Sequence, residues 1–259
     1  ADRPDSAPKA EMWYVLEQLE FDFVPLFGPQ MRESWLSGKD LLLIPDGSAG
    51  EIVKGWQDSG RETWGAPGIP DGIGEEGLKA IRAFVEAGGA YLGLGSGGGI
   101  LATAAYAGLI DLTVAHQGLG SGRAMVRITD AASPLVYGLD GSVAEDGTAQ
   151  PALFPALYYS EGLTGGAGGP VFKAGAGAKA VALFDHIDYD PNLHVVLHPE
   201  YFDLKENAVA VAQQPYGKGT VTVLGVRPGF RAIWTHSEKL ITNAIFEQVA
   251  EAASPITLA

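Results

Sequence analysis

The chain of 259 residues contains no cysteine. That excludes disulfides, thiolate zinc sites, iron–sulfur clusters and a cysteine nucleophile together. It leaves the redox compartment open. Basic side chains are scarce: 17 Lys and Arg stand against 31 Asp and Glu, for a formal charge of −14. Such a surface repels phosphate, and no Lys/Arg cluster offsets it, so no nucleic-acid partner is expected. Solubility is the simpler meaning of the charge. Long hydrophobic runs are also missing. Leu41–Ile44 and Val181–Phe184 fall far short of the roughly 18 residues a membrane helix needs. Asp2, Arg3 and Asp5 interrupt any apolar leader at the N-terminus.

What remains is a globular composition, 46% hydrophobic and 19% charged. The length suits one large domain or two small ones, at roughly 100–200 residues each. Glycine (36) and proline (16) are plentiful and follow no repeat period, which implies many tight turns.

Residues 1–9 read as a polar tail or linker. Met12, Val15, Leu16 and Leu19 then share one helical face. Phe21–Leu26 reads as a short strand. Leu41–Ile44 reads as a buried parallel strand ending at the turn Pro45-Asp46-Gly47. Residues 51–73, rich in Gly, Trp and Pro, read as an insertion. Leu78, Ile81, Phe84 and Val85 define the next helix, stopped by Gly88-Gly89. Ala90–Leu94 is the following strand, Gly93–Gly99 a glycine-rich turn, and Ile100–Ala107 a small-residue helix. This alternation argues for an α/β fold of the flavodoxin-like, three-layer kind with a parallel sheet. From about residue 112 to 226 additional strands are expected: Met125–Ile128, Val181–Phe184, Val195–Leu197, Ala208–Gln213 and Thr220–Val226. Gly217-Lys218-Gly219 forms a hairpin turn. The last helix spans Ser237–Ala252 with Ser237 as N-cap, and 253–259 is a tail. Residues 10–252 therefore form a single domain. Its sheet lacks the hydrophobic strand that normally precedes the first helix. That strand is expected upstream of Ala1 or from elsewhere, which makes the sequence a fragment.

The stretch Tyr91-Leu-Gly-Leu-Gly-Ser-Gly-Gly-Gly99 admits three readings. Gly93, Gly95 and Gly98 satisfy the dinucleotide pattern G-x-G-x-x-G. About 90 residues precede it, however, and Asp111 is the only nearby acid, which fits poorly with a first-strand motif. A serine-hydrolase elbow would use Ser96 as nucleophile, but Leu94 crowds that sharp turn. Shifting the register by one puts Gly95 at the nucleophile position, where covalent catalysis is impossible.

Here a family resemblance enters. Phe84-Val-Glu-Ala-Gly-Gly-Ala-Tyr-Leu-Gly-Leu94 resembles the helix, double-glycine stop and strand before the catalytic cysteine of class I glutamine amidotransferase-like domains. The biotin-protein-ligase-like and trehalose-utilisation-like branches are nearest. The resemblance implies that Gly95 stands where the cysteine would be. It implies further that Arg227 and Gly229, in Thr220–Gly229, replace the catalytic histidine and glutamate. A literal His198-Pro199-Glu200 also occurs, but two strands separate it from the final helix. Residues 217–231, His236 and 240–246, together with 12–23 and 42–46, resemble the C-terminal domain of large secreted zinc carboxypeptidases. That likeness implies a secreted, multidomain, carboxypeptidase A-like hydrolase whose zinc is held upstream. This chain then carries no cofactor of its own. It is a non-catalytic accessory module whose partner is the upstream peptidase domain, another protein or a second copy.

Other candidate sites are weaker. No histidine has Glu three residues later, and His194 and His198 sit in a strand-like run, so a zinc pair is not expected. Asp185, Asp188, Asp190 and Asn192 offer oxygen ligands but lack the glycine and terminal Glu of a calcium loop. Trp13, Trp35, Trp56, Trp64 and Trp234 read as packing residues, with the two in 51–73 as a candidate interface. Asp46, Gly47, Ser96, Glu161, Arg227, Arg231 and His236 are candidates for a pocket beside the emptied elbow. The alternatives to an accessory module are a stand-alone serine hydrolase or amidase, with Ser96 as nucleophile and His198 or His236 as base, and a sensor holding a small anion at the glycine turn.

Overall fold

A computed structural model describes residues 7–26, 28–32, 34–55, 72–119, 122–139, 153–158, 169–188, 207–229 and 235–252. The first of the predicted buried strands is β1 (Leu41–Ile44), and it pairs in parallel with β2 (Ala90–Leu94). β2 pairs in parallel with β9 (Gly219–Leu224). These short apolar runs are covered on both faces, as parallel strands require. The remaining strands are antiparallel: β3 (Leu112–Leu119), β4 (Gly122–Ile128), β5 (Leu153–Tyr158), β6 (Gly169–Ala174), β7 (Lys179–Asp188) and β8 (Val209–Tyr216). The hydrogen-bonded order is β1-β2-β9-β8-β7-β4-β5, with β6 joining β8 to β3.

Helices cover the two faces. α4 (Gly74–Glu86) buries Leu78, Ile81 and Val85 against Leu42, Ile44, Tyr91, Val221 and Val223. α2 (Gly28–Arg32) and α3 (Ala49–Lys54) add Met31 and Ile52 to that side. On the opposite face α1 (Ala7–Gln18) and α6 (Thr235–Ala252) place Met12, Val15, Leu240, Ile241 and Ala244 against Leu92, Leu94 and Leu224. Alternate residues of each strand feed alternate cores, which is the three-layer α/β sandwich expected from the pattern.

Several expectations are corrected. Helix α1 begins at Ala7, so the segment 7–9 is not tail. Phe21–Leu26 is extended but bonds to no strand among the described residues. Residues 51–54 belong to α3, capped by Ser48 and closed by Gly55, so the insertion does not start at 51. Its residues 56–71, with Trp56 and Trp64, lie outside the described residues, as do Val195–Leu197 and Trp234. The helix after the glycine turn, α5 (Ile100–Ala102), is a single turn. Thr103 ends it by turning its own hydroxyl back to the Ile100 carbonyl at 2.8 Å. Ser237 is not an N-cap. It lies inside α6, wholly buried, and its Oγ donates to the Pro228 carbonyl at 3.0 Å. Strands β3, β5 and β6 were not anticipated from the sequence.

Candidate functional site

The candidate site lies at the carboxyl ends of β1, β2 and β9, where open α/β sheets place their ligands. The parallel register sets Ile44 beside Gly93. The chain beyond β1, Pro45-Asp46-Gly47, therefore meets the chain beyond β2, Gly95-Ser96-Gly97. Leu94 is extended, Gly95 turns to φ +51°, and Gly95–Gly99 form one π-helical turn leading into α5. A left-handed residue between strand and helix is the backbone shape of a nucleophile elbow.

The glycines here serve packing. A Cβ on Gly97 would come closer than 3.0 Å to Pro45 O and Gly47 N, and one on Gly98 would strike Ile44 O. Gly98 N–H donates to Pro45 O at 3.1 Å. The wholly buried Tyr91 donates its hydroxyl to Gly98 O at 2.7 Å, and burial pushes its pKa up. The turn is thus pressed onto the end of β1 and locked there. The dinucleotide reading fails on the same geometry, because no extended helix follows the glycines and Asp111 accepts from Gly177 N–H instead, at 3.0 Å.

Asp46 dominates the site. Its Oδ1 accepts from the backbone N–H groups of Ser96 at 2.6 Å, Gly47 at 2.8 Å and, at the long limit, Gly97 at 3.4 Å. Converging amides of this kind form an anion-binding nest, and such amides stabilise a developing oxyanion in acyl transfer. The protein fills the nest with its own carboxylate. Burial raises the Asp46 pKa above its ordinary 3.8; the three amides and the charge of Arg227 oppose that rise without cancelling it.

The three positions singled out by the resemblance are tightly packed: neighbours crowd Gly95 and Gly229, and Arg227 is itself buried. A Cβ on Gly95 would lie closer than 3.0 Å to both carboxylate oxygens of Asp46. A Cβ on Gly229 would collide with Met12 Cε and press on Val15 Cγ2, both from α1. Arg227 is 5% exposed and reaches α1 too, its Nε bonding Glu11 Oε2 at 2.7 Å. That pair is largely buried at both ends and ties the start of α1 to the end of β9.

Of the predicted pocket residues the structure brings together Asp46, Gly47, Ser96 and Arg227, beside Gly95. Ser96 is half-buried beside the elbow, with its amide bonded to Asp46. Glu161, His194, His198, Glu200 and Arg231 lie outside the described residues, as do Asp190 and Asn192. His236 is placed on α6, its side chain outside the described set. Asp188 ends β7, and Asp185 forms an ion pair with Arg127 at 3.1 Å, which is ordinary charge pairing between β7 and β4. Among the described residues no three His, Asp or Glu side chains gather as a metal site, and no helix is long and apolar enough to cross a membrane. Sequence reasoning missed Glu11 and the central role of Asp46. The signal for Asp46 was an acid directly after a buried parallel strand, level with a glycine turn on the neighbouring strand.

No protein-family model matches the chain, and no curated protein matches it by sequence. Solved structures do resemble it. PurLQS from Thermotoga maritima aligns with a TM-score of 0.54 at 14% identity, over 95% of each chain. A GMP synthase subunit-like protein from Thermoplasma acidophilum aligns at 0.51 and 12% identity, over 97% of this chain and 93% of the other. A β-galactosidase from Rahnella sp. R3 aligns at 0.52 and 15% identity, over 93% of this chain but 26% of that one. At these identities the likeness concerns fold alone: the chain has the flavodoxin-like α/β sandwich of amidotransferase-like proteins.

Proposed function

We propose that this chain is a non-catalytic, amidotransferase-like accessory domain of a larger secreted hydrolase, a zinc carboxypeptidase whose metal and catalytic residues lie upstream. The observation that carries the non-catalytic part is the Asp46 carboxylate. It takes the space of a Gly95 side chain and bonds the amides that an oxyanion would need. A lost nucleophile alone is one substitution from recovery. Here the vacancy is filled from the loop after β1, and the position of Gly229 is filled from α1, so recovery needs coordinated repacking. The occupied nest also works against the anion-sensor reading, and the Gly97 amide, which would follow a Ser96 nucleophile, is turned toward Asp46 as well, at 3.4 Å. The carboxypeptidase context rests on the sequence resemblance of residues 12–23, 42–46, 217–231, His236 and 240–246. A fold of this size occupying a quarter of a β-galactosidase chain is consistent with a life inside large hydrolases.

The test has two arms. The isolated chain is assayed for glutaminase and amidase activity and for fluorophosphonate labelling, beside its Gly95→Cys variant. Neither protein is expected to turn over or label. Labelling abolished by Ser96→Ala, or turnover in the wild type, overturns the non-catalytic reading. The second arm reads the parent reading frame: a zinc peptidase domain upstream is expected, and its absence overturns the carboxypeptidase context.

A further inference from the structure

Among the described residues, β1 is the end of the hydrogen-bonded strand order, and no strand pairs with its outer side. A cavity of about 1200 Å³ is bounded by β1 with Pro45 on one side and by Asp22–Leu26 on the other. Met12, Leu16 and Ile245 close it from the α1/α6 face, and Met31, Ile52 and Ile73 from the α4 face. It therefore lies in the plane of the sheet, between the two helical layers. A slot one strand spacing wide, one sheet layer deep and six residues long encloses about 950 Å³, from ~4.8 Å, ~10 Å and ~3.3 Å per residue. The cavity matches a missing strand.

The course of the chain agrees. Glu11 of α1 bonds Arg227, three residues beyond β9, so α1 starts at the carboxyl ends of the strands. Phe21 packs on Phe246, in the second half of α6, at 5.6 Å. Residues 21–26 consequently run back in the direction of β1. The crossover from β1 to β2 passes through α3 and α4 on one face. A right-handed crossover stepping the opposite way places its helix on the other face, and that is where α1 lies. The return from 21–26 to β1 steps forward again, and α2 lies on the α4 face as the same rule demands. In the flavodoxin-like order the first strand sits between the second and third.

We infer that the slot takes one extended apolar segment as a strand parallel to β1, and that this segment is the polypeptide leading into Ala1. Residues 1–6 do not suit the role, since Asp2, Arg3, Pro4 and Asp5 are foreign to a buried parallel strand. The inference is independent of whether the elbow is catalytic.

The test compares the 259-residue chain with the protein extended upstream by its own coding sequence. Backbone hydrogen exchange at Leu41–Ile44 and at 21–26 is expected to slow at least about 100-fold in the extended protein, with loss of dye binding by 8-anilinonaphthalene sulfonate. Proline at the centre of the added strand should reverse both. The absence of native cysteine permits a second reading that does not depend on stability. Val24→Cys and a cysteine at the middle of the added strand should join on mild oxidation, since neighbouring strands lie within disulfide reach. Unchanged exchange with no cross-link overturns the inference. So does a coding sequence with no apolar run of about six residues shortly before Ala1. A shorter chain that dimerises in sedimentation with residues 41–44 already protected also overturns it, in favour of a strand from a second copy.

Discussion

Replacing Gly95 by alanine isolates the contact between the elbow and Asp46. The residue has φ +51°, where any L side chain costs roughly 1–2 kcal/mol. The new methyl would also overlap the Asp46 carboxylate. Moving that carboxylate breaks its bonds to Ser96 and Gly47, and a buried polar group left without its partner costs roughly 1–3 kcal/mol. The expected destabilisation is about 2–5 kcal/mol, or a fall of about 5–15 °C in Tm for a domain of this size. The two contributions separate in a double-mutant cycle. In an Asp46→Ala background the methyl has space, so Gly95→Ala should retain only the backbone part. The coupling energy is then at least about 1 kcal/mol, within the range of side chains in contact. Chemical denaturation of the four proteins, with unchanged m-values, gives the answer. A cycle additive to within about 0.5 kcal/mol refutes the contact. A Gly95→Ala protein as stable as wild type refutes the left-handed elbow as well.

Three further outcomes follow from neighbouring contacts. Gly229→Ala should destabilise by about 1–3 kcal/mol through overpacking against Met12, and Met12→Ala combined with it should recover part of that loss; two independent effects in thermal unfolding would show that the residues do not touch. Glu11→Gln should cost about 3 kcal/mol, because Arg227 keeps its buried charge, whereas replacing both partners by Leu and Met should cost less than either single change; a double variant worse than both singles contradicts this. Asp46 has its folded pKa raised mainly by burial, so the folded state holds the proton more tightly. Its favourable contribution is complete below the ordinary 3.8 and is lost as pH rises through the folded value. Unfolding free energy measured from about pH 3.5 to 8 should fall less steeply in Asp46→Asn, and parallel curves for the two proteins would oppose the shift.

The parallel half of the fold was legible because its signals are local. Leu41–Ile44 and Ala90–Leu94 are uninterrupted apolar runs bounded by turn residues, and the α4 face repeats at helical spacing between them. β3, β5 and β6 escaped because their sequences alternate weakly. Thr113, His116 and Gln117 break the run of β3, and its pairing with β6 shifts register between Val114 and His116 and again between Gln117 and Leu119. A strand held by a distant, bulged partner leaves little trace in its own sequence. Phe21–Leu26 differs in the reverse sense: its composition is that of a strand, and among the described residues no strand pairs with it.

The site divides in the same way. Gly95, Arg227 and Gly229 stand out only through the resemblance to amidotransferase-like domains, which is read along the chain. What fills the space they leave was not visible. Asp46 lies 49 residues before Gly95, and Met12 lies 217 residues before Gly229. Only the parallel register of β1 with β2, and the packing of α1 across the end of β9, bring those pairs together. On the proposed reading, the substitutions are therefore read along the chain, whereas what occupies the space beside them is read only from the packing. An acid that bonds the elbow amides and a methionine that fills the third position act from different elements. On the proposed reading, their joint presence belongs to an elbow held for its shape, as a rigid junction between β2 and the helical layers.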